Sequence, residues 1–490
     1  MVGGLLPREL KPLMIMGTSS GAGKTFFVTA ILRILRDMGV DAVPFKAQNM
    51  SLNSAVAEGG EIAYAQAMQA RAAGAEPSVL MNPVLIKPEK GNSHVVVMGK
   101  HYMTLNPRDY YREDVHDNLF RIAIEAFKEL QKKHELVVIE GAGSPAEVNL
   151  KDMANVEFSK AVGAKNILIS DIDRGGAFAS ILGTVNMIGR RGLIGAVLNK
   201  FRGDEGMLRP AYRIMSERYN IRILGTVPYL PVMLPWEDSA DNLPSRGGKV
   251  RVGVVKLPHI SNFTDIYPLY KVRELGISFE ELPDPQGYDL TIIPGSKVTV
   301  HDLIQLKVSG FDEMLKRAVS DGRWIMGICG GLQMMGKRII DRVESGIGEI
   351  DGMNVLEAET VMEPVKKVRN VEGTVVAKGM EGIPVSGYEI HYGETVSSSP
   401  FAVIRKDNGL PVSRPDGSQS GKVFGTYLHG IFENEDFTLA LVNILRNESG
   451  FDPLRGPIYL GHDAEIQSAS EAVRNGVNLA FIFEAIGLKP

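Results

Sequence analysis

Short apolar runs alternate with amphipathic stretches along the first half of the chain. Longer stretches with the apolar spacing of a helix, such as Val115–Lys133, separate the runs. Alternation of this kind predicts an α/β fold with a mainly parallel, doubly wound sheet. The runs that have the length of buried strands are Leu13–Met16, Ala42–Phe45, Leu136–Glu140, Asn166–Asp171, Leu193–Asn199 and Ile223–Val227.

A second α/β series begins at the apolar run Val250–Leu257. It continues through Leu290–Pro294 and Trp324–Ile328, and a segment richer in strands follows from about Val355 to Phe432. The pattern therefore predicts a second α/β sheet, followed by a mostly β region.

Polar residues with several prolines and glycines separate the two series. This stretch, Leu234–Lys249, has the composition of a linker. Near the end of the chain, Ser468–Leu488 has helical apolar spacing, and we expect it to pack on one of the domains. The predicted segments are a first domain at 10–235, a linker at 236–249, a second domain at 250–445 and a helical tail at 446–490.

Composition and charge exclude several classes of protein. Of the 490 residues 44% are hydrophobic and 23% are charged, which is typical of a globular chain with more than one domain. The net charge of −4 provides no basic footprint for nucleic acid. No apolar run reaches the roughly 18 residues that a membrane helix needs. The single cysteine excludes an intrachain disulfide, and the first residues lack a signal-peptide pattern. We therefore expect a cytoplasmic protein without a nucleic-acid or membrane partner.

A glycine-rich loop follows the first predicted strand and precedes a predicted helix, Phe26–Met38, which Gly39 closes. Strand, glycine-rich loop and helix in this order are the context of a phosphate-binding P-loop. Standard spacing would put the first glycine at position 18, whereas it stands at position 17, so the loop is a longer variant. Lys24 would reach the β- and γ-phosphates, and Thr25 would bind Mg²⁺. The predicted ATP-binding residues of this loop are Gly17, Thr18, Gly21, Ala22, Gly23, Lys24 and Thr25.

Polar side chains end three other strands of the first series. Glu140 is followed by glycines, Asp171 by a second carboxylate and an arginine, and Asn199 by a lysine. Ligands bind at the carboxyl ends of strands in open α/β sheets, and carboxylates there suit Mg²⁺. We predict a metal site formed by Thr25, Glu140 and Asp171, and an Asn199 that hydrogen-bonds a purine edge. The alternative is that these residues are solvated loop groups.

The only cysteine, Cys329, ends the apolar run Trp324–Ile328 and has glycines at 327, 330 and 331. This is the strand-to-helix elbow that presents a nucleophile, because glycines allow the sharp turn and the following N–H groups can face an oxyanion. The alternative is a buried core cysteine. A thiol nucleophile needs an imidazole to take its proton. His429 and His391 are both candidates for that base, and either could instead be a structural histidine at a strand end.

Several blocks of sequence resemble the cobyric acid synthase family, the glutamine-dependent amidotransferases of cobalamin biosynthesis. In the first half, which is similar to dethiobiotin-synthetase-like P-loop ATPases with the same longer loop, these blocks are Lys46–Asn53, residues 140–150, Asp171–Phe178 and Asn199–Asp204. In the second half, which resembles a class I glutamine amidotransferase domain of the cobyrinate-amidating type, they are Pro294–Lys297, the Cys329 elbow, Tyr388–His391 and residues 427–430.

The resemblance implies a ligase with two sites and assigns roles to its residues. Cys329 would attack glutamine, His429 rather than His391 would be the base, and the N–H groups of Gly295 and Gly330 would donate to the oxyanion. Most class I amidotransferases orient the histidine with a glutamate two residues later. Here that position is Ile431, and the cobyrinate-amidating branch also lacks this glutamate. The residue that orients His429 is therefore open, with Glu433 as a candidate.

The reaction that the resemblance implies joins the two sites. Ammonia released from glutamine would displace phosphate from a corrinoid carboxylate that ATP-Mg²⁺ has activated. The family amidates the b, d, e and g carboxylates of adenosyl-cobyrinic acid a,c-diamide. Glutamine and the corrinoid are thus the expected substrates, ATP and Mg²⁺ the expected cofactors, and a homo-oligomer is compatible with the sequence.

Three other functions remain open at the level of the sequence. Cobyrinate a,c-diamide synthase has the same architecture but amidates other carboxylates. A P-loop switch ATPase with a degenerate amidotransferase domain would not need Cys329 and His429. A non-catalytic binding protein would not need to retain them either.

Overall fold

The computed structural model describes residues 10–89, 92–106, 109, 112–147, 152–230, 245–459 and 461–489. The chain forms two compact units. The first consists of Met1–Asp238 together with His462–Pro490, and the second of Ser239–Gly461. Most of the predicted linker, and residues 148–150 of one family block, lie outside the described residues. Every helix in the described part of the chain is too short or too polar to span a bilayer.

The first unit is built on a six-stranded parallel sheet, as the alternating pattern predicts. In spatial order its strands are Ile223–Pro228, Leu193–Phe201, Lys165–Asp171, Leu13–Gly17, Leu136–Glu140 and Ala42–Phe45. Their apolar side chains are buried because helices cover the sheet, and Phe45, Phe127 and Phe158 pack ring against ring in this core. The parallel register brings the carboxyl ends of the strands that finish in Gly17, Glu140 and Asp171 to the same edge.

Smaller elements complete the first unit. A four-stranded sheet contains Gln48–Met50, Val84–Glu89, Asn92–Val97 and Lys100–Leu105, and a hairpin pairs Ser54–Ala57 with Gly60–Ala63. The α-helices are Lys24–Asp37, Tyr64–Ala73, Glu113–Lys133, Val156–Val162, Ala177–Ile188, Arg209–Tyr219, His462–Gly476 and Leu479–Ile486.

The C-terminal residues divide differently from the predicted tail. The boundary predicted at 446 falls inside the helix Glu435–Glu448 of the second unit, because the apolar face of that helix runs on through Leu445. The last two helices belong to the first unit, where the N–H of Asn478 donates to the carbonyl of Leu224 at 2.8 Å. The end of the chain thus covers the edge strand Ile223–Pro228.

A second α/β sheet forms the centre of the second unit. Its strands in spatial order are Leu275–Glu280, Val250–Val255, Leu290–Ile293, Trp324–Ile328, Val423–Thr426 and Ser418–Ser420, all parallel except the last. Because Ile328 pairs with Thr426, the residues that follow these two strands lie side by side. This pairing brings the cysteine elbow and the segment leading to His429 together.

The strand-rich region predicted after Val355 forms a separate, mainly antiparallel sheet. It contains Arg338–Asp341, Gly348–Asp351, Ala358–Val375, Pro384–Ser397, Ala402–Asp407 and Leu410–Asp416. A short ladder also pairs Ile260–Ser261 with Gly295–Ser296. The α-helices of the second unit are Tyr267–Lys271, Thr299–Val308, Phe311–Ser320, Gly330–Met335 and Glu435–Glu448.

Candidate active sites

The glycine-rich loop of the first unit has a backbone that only glycine accommodates at one position. Gly23 has φ of 102°, and a Cβ there would lie 1.9 Å from Nδ2 of Asn199. That same amide donates to the carbonyl of Ala22 at 2.9 Å, so Asn199 helps to hold the loop in place. The helix begins at Lys24 rather than at the predicted Phe26, because Gly23 provides the N-terminal turn. Contact of Asn199 with a purine remains a prediction.

Thr18 and Lys24 tie the loop to neighbouring strand ends. The N–H of Thr18 donates to Ile169 at 2.9 Å, which continues the parallel ladder past Gly17. The ammonium of Lys24 is buried and donates to the carbonyl of Gly143 at 3.0 Å. Lys24 therefore lies across the loop toward the segment that follows Glu140.

Glu140 is the buried anionic centre of this site. Its carboxylate accepts hydrogen bonds from the hydroxyl of Thr25 at 3.0 Å and from the ammonium of Lys46 at 2.8 Å, and the amide of Gln69 donates to its other oxygen. The side chains of Glu140 and Lys46 are 0% and 2% exposed. So deeply buried a charge needs several hydrogen bonds, and the carboxylate of Glu140 accepts three. The sequence analysis did not single out Lys46 or Gln69 as site residues.

Asp171 has a different set of partners. Its carboxylate lies 2.8 Å from the ammonium of Lys200 and 3.9 Å from the guanidinium of Arg174. Lys200 also donates to the carbonyl of Gly21 at 2.8 Å, which links Asp171 to the tip of the glycine-rich loop. The structure therefore brings Thr25 and Glu140 into direct contact, and connects Asp171 to the loop through a lysine.

The pair formed by Thr25 and Glu140 fits a magnesium ion. Mg²⁺ takes oxygen ligands, and beside a nucleotide it usually takes one or two from the protein and the rest from phosphate and water. A hydroxyl and a carboxylate in contact at the mouth of a P-loop supply that donor set. Among the described residues no group of three or more His, Cys, Asp or Glu forms a self-contained metal site.

In the second unit, Cys329 stands on a strained turn at the end of the strand Trp324–Ile328. It has φ of 52° and ψ of −108°, a combination that costs free energy for any residue with a side chain. Its N–H donates to the carbonyl of Thr426 at 2.8 Å, and the helix Gly330–Met335 begins immediately after it. The strand, the strained turn and the following helix have the geometry expected of an elbow, and the role of Cys329 as nucleophile stays a prediction.

The glycines around Cys329 are explained by close approach of backbone segments. A Cβ on Gly331 would lie 1.9 Å from the carbonyl oxygen of Ile293, and one on Gly327 would lie 2.7 Å from the carbonyl carbon of Gly331. A Cβ on Gly330 would lie 2.8 Å from the backbone nitrogen of Ser296. Gly330 and the turn that contains Gly295 are therefore adjacent, as their predicted common role requires.

His429 is fully buried, and Cys329 is one of the groups that raise the pKa of its imidazole. Its Nδ1 lies 2.7 Å from Oδ2 of Asp265, and its ring stacks on Tyr388. Burial alone would lower the pKa of His429. The charge of Asp265, the neighbouring Cys329 and the hydrogen bond between Asp265 and Nδ1 outweigh burial and raise this pKa to about 10.

Asp265 and Asn262 are contacts of His429 that the sequence analysis missed. The other carboxylate oxygen of Asp265 accepts the N–H of Gly430 at 2.7 Å, and the amide nitrogen of Asn262 lies 3.2 Å from Nε2 of His429. Both residues follow the strand Val250–Val255, at the edge of an α/β sheet where ligands bind. Their position after this strand was the feature of the sequence that could have indicated a role in the site. The residue at the position of the missing glutamate, Ile431, is buried and apolar.

His391 belongs to a separate charged cluster. Its ring stacks on Tyr427 with centroids 3.8 Å apart, and its Nε2 lies 3.5 Å from Glu389. Burial would raise the pKa of Glu389, but His391 and the guanidinium groups of Arg414 and Arg369 outweigh it and lower this pKa to about 2. Burial lowers the pKa of His391 itself. Of the two candidate bases, His429 follows the strand that pairs with the Cys329 strand, and its pKa is the one that Cys329 raises.

Comparison with known proteins agrees with this arrangement. Residues 13–239 match the CobQ/CobB/MinD/ParA nucleotide binding domain, and residues 251–437 match the CobB/CobQ-like glutamine amidotransferase domain. The fold and the two domain matches define a glutamine amidotransferase domain joined to a nucleotide-binding domain. The second match implies that the nucleotide is ATP.

The relatives narrow this class. The chain is 45% identical to a probable cobyric acid synthase of Thermococcus gammatolerans over 98% of this chain and 100% of the relative. It is 39% identical to the cobyric acid synthase of Clostridium acetobutylicum over 97% of this chain and 99% of the relative. It is 42% identical to a probable cobyric acid synthase of Methanothermobacter thermautotrophicus over 97% of this chain and 99% of the relative. The chain belongs to the cobyric acid synthase family, which confirms the resemblance inferred from its sequence blocks.

Proposed function

We propose that this chain uses ATP and glutamine to amidate the b, d, e and g carboxylates of adenosyl-cobyrinic acid a,c-diamide, giving cobyric acid. The observation that supports the proposal is that one chain contains both a cysteine elbow beside the strand that leads to His429 and a glycine-rich loop beside a buried carboxylate. Cys329 with His429 can release ammonia, and Lys24 with Thr25 and Glu140 can bind and use ATP. A switch ATPase would have no use for the first site. A reactive thiol also suits a reducing compartment, so we propose a cytoplasmic location.

The glutaminase reaction uses Cys329 as nucleophile and His429 as acid and base. His429 takes the thiol proton, and the thiolate attacks the γ-carbonyl carbon of glutamine. The oxygen of the tetrahedral adduct gains negative charge and accepts hydrogen bonds from the N–H groups of Gly295 and Gly330. His429 then returns the proton to the amide nitrogen, the carbon–nitrogen bond breaks, and ammonia leaves. Water hydrolyses the thioester, which releases glutamate and regenerates the thiol.

The high pKa of His429 determines the resting state of this site. With a pKa near 10, the imidazole keeps the proton that it takes from the thiol at neutral pH. The same proton is held at the imidazole, ready for the departing nitrogen.

The ligase reaction takes place at the P-loop. The γ-phosphoryl group of ATP passes to a corrinoid carboxylate oxygen, which leaves ADP and an acyl phosphate. Ammonia attacks the acyl carbon, the bond to phosphate breaks, and an amide remains with inorganic phosphate and a proton. The N–H groups of the loop hold the phosphate oxygens. The ammonium of Lys24 donates a hydrogen bond to the carbonyl of Gly143 in this structure. With ATP bound it would turn to the β- and γ-phosphates and neutralise their charge.

Thr25 and Glu140 would hold Mg²⁺ at this site, directly or through water. The ion would neutralise charge on the β- and γ-phosphate oxygens. Lys46 pairs with the carboxylate of Glu140 and helps to hold it against the hydroxyl of Thr25. Asp171, with Lys200 and Arg174 around it, is the competing carboxylate.

Mass spectrometry of the corrinoid product tests the proposed substrate. Adenosyl-cobyrinic acid a,c-diamide and unamidated cobyrinic acid would each be incubated with the protein, ATP, Mg²⁺ and glutamine. Each conversion of a carboxylic acid to an amide changes the mass by one fixed step. We expect four steps from the diamide. No change in the diamide, together with two steps from cobyrinic acid, would instead identify an a,c-diamide synthase.

A further inference from the structure

A short segment after the first strand of the second unit contacts the site from two sides. This segment, His259–Asp265, pairs through Ile260 and Ser261 with Ser296 and Gly295, the turn that carries a predicted oxyanion donor. Its far end reaches His429 through Asn262 and Asp265. None of its residues belongs to the family blocks recognised in the sequence.

Asp265 has the environment of a residue that orients a catalytic histidine. It is 3% exposed, and both of its carboxylate oxygens accept short hydrogen bonds from one loop, at 2.7 Å from Nδ1 of His429 and 2.7 Å from the N–H of Gly430. Two bonds to adjacent residues fix both the position of the loop and the rotation of the ring. The carboxylate accepts a hydrogen bond from the Nδ1–H group of His429. Nε2 is therefore the nitrogen left to exchange a proton with the sulfur of Cys329.

The other groups around His429 do not provide this function. Tyr388 stacks on the ring and contributes no charge there. Asn262 is neutral and approaches the opposite nitrogen, Nε2. Ile431, the position at which most class I amidotransferases have a glutamate, is apolar and buried. Glu433, the remaining acidic candidate, lies near Gly430, whose N–H already donates to Asp265.

We propose that Asp265 is the positioning residue for His429, replacing from a distant part of the chain the glutamate that position 431 lacks. The proposal rests on the roles of Cys329 and His429 proposed above. It adds that the tautomer and the charge of His429 depend on one carboxylate. The charge of Asp265 contributes to the raised pKa of the imidazole and hence to the imidazolium that stabilises the thiolate.

The test compares Asp265→Asn, Asp265→Glu and a control, Glu433→Gln. Asp265→Asn keeps the size of the side chain but removes its charge and one of its acceptors. We expect its rate of glutamine hydrolysis to fall by roughly a hundredfold to ten-thousandfold. Ammonia-dependent amidation should be unchanged, which reports on the integrity of the other site. Glu433→Gln makes the same chemical change on the neighbouring turn and should leave both rates nearly unchanged.

Alkylation of the thiol separates positioning from a merely structural effect. Cys329 is the only cysteine, so the rate of its reaction with iodoacetamide at each pH reports on this site alone. Without the charge of Asp265 the pKa of His429 falls, the thiolate loses its counter-ion, and the pH midpoint of alkylation should rise by about one pH unit or more. Asp265→Glu restores the charge and should recover the wild-type midpoint and part of the rate. A loosened structure would speed alkylation at every pH without moving the midpoint.

The outcomes distinguish this proposal from the one on which it rests. If Cys329→Ala abolishes glutamine hydrolysis while Asp265→Asn retains the wild-type rate and midpoint, Asp265 has no positioning role and the proposed nucleophile stands. If Cys329→Ala still hydrolyses glutamine, the proposed function itself fails. If Asp265→Asn does not fold, the test depends on Asp265→Glu, which restores the charge. A loss of the glutamine hydrolysis rate together with a shifted alkylation midpoint in that variant would also overturn the proposal.

Discussion

The carboxylate of Asp265 lies 2.7 Å from Nδ1 of His429, although the two residues are 164 positions apart in the chain. Each follows a strand of the same parallel sheet, Val250–Val255 for Asp265 and Val423–Thr426 for His429. Parallel strands deliver the residues after their carboxyl ends to one edge. The order of the strands in the sheet therefore brings the residues of the glutaminase site together. The role of each residue can be tested by substitution.

Removing the thiol should separate the two sources of nitrogen. We expect Cys329→Ala and Cys329→Ser to abolish glutamine-dependent amidation while added ammonia still supports it, because the thiol serves only to release ammonia. The measurement is the amidation rate with each nitrogen source in the same preparation. Equal loss of both activities in a folded variant would contradict the proposed division of labour.

Removing the P-loop ammonium should stop amidation from either nitrogen source. Lys24→Ala leaves the charge that develops on the transferred phosphoryl group without its cation, and we expect the rate to fall about a thousandfold or more. Glutamine binding lies in the other unit, so this loss should appear with ammonia as well.

A surface lysine provides the control for this experiment. Lys132 pairs with Glu129 at an exposed site, and Lys132→Ala removes the same charge without approaching the loop. Its amidation rate should equal that of the wild type. Near-normal ammonia-dependent activity in Lys24→Ala would refute the role assigned to Lys24.

The two candidate bases should differ sharply in their effect on glutaminase turnover. His429→Ala removes the proposed base, the imidazole held by Asp265, and we expect a loss of roughly a hundredfold to ten-thousandfold. His391→Ala removes a ring packed on Tyr427 and should act mainly on stability, because it takes a partner from the buried carboxylate of Glu389. Steady-state hydrolysis of glutamine, compared with thermal unfolding of each variant, makes the distinction. The opposite order of rates would reassign the base to His391.

The magnesium assignment predicts a specific change in metal dependence. Glu140→Gln should raise the Mg²⁺ concentration needed for half-maximal ammonia-dependent amidation, because the ion loses an anionic partner beside Thr25. Asp171→Asn, at the carboxylate paired with Lys200, should leave that concentration nearly unchanged.

A crystal structure with a nucleotide and Mg²⁺ checks the same assignment directly. An oxygen of Glu140 is expected within about 5 Å of the ion, the reach of one bridging water. A longer separation would transfer the role to Asp171. The Glu140→Gln variant also leaves Lys46 buried without its counter-ion, so its thermal stability needs to be measured in parallel.

Much of the fold and the centres of both sites were predictable from local sequence. The apolar runs predicted the six strands of the first sheet and the strands Val250–Val255, Leu290–Ile293 and Trp324–Ile328 of the second, because a strand covered on both faces must be apolar along its whole length. The strand Leu275–Glu280 of the second sheet was not predicted. The spacing of Gly327, Gly330 and Gly331 predicted the elbow, because each glycine meets backbone that a Cβ would strike. The P-loop was predictable for the same reason: a tight backbone turn has to be encoded by the residues that form it.

Tertiary structure alone decided which side chains complete these centres. Lys46 and Gln69 reach Glu140, and Asp265 reaches His429, from segments that share no spacing or periodicity with their partners. Spacing alone left His429 and His391 open; the family resemblance favoured His429, and the strand pairing beside Cys329 gives the physical reason. Local patterns record the conformation of the backbone that carries them, whereas a contact between distant residues depends on the order and register of strands in the sheet.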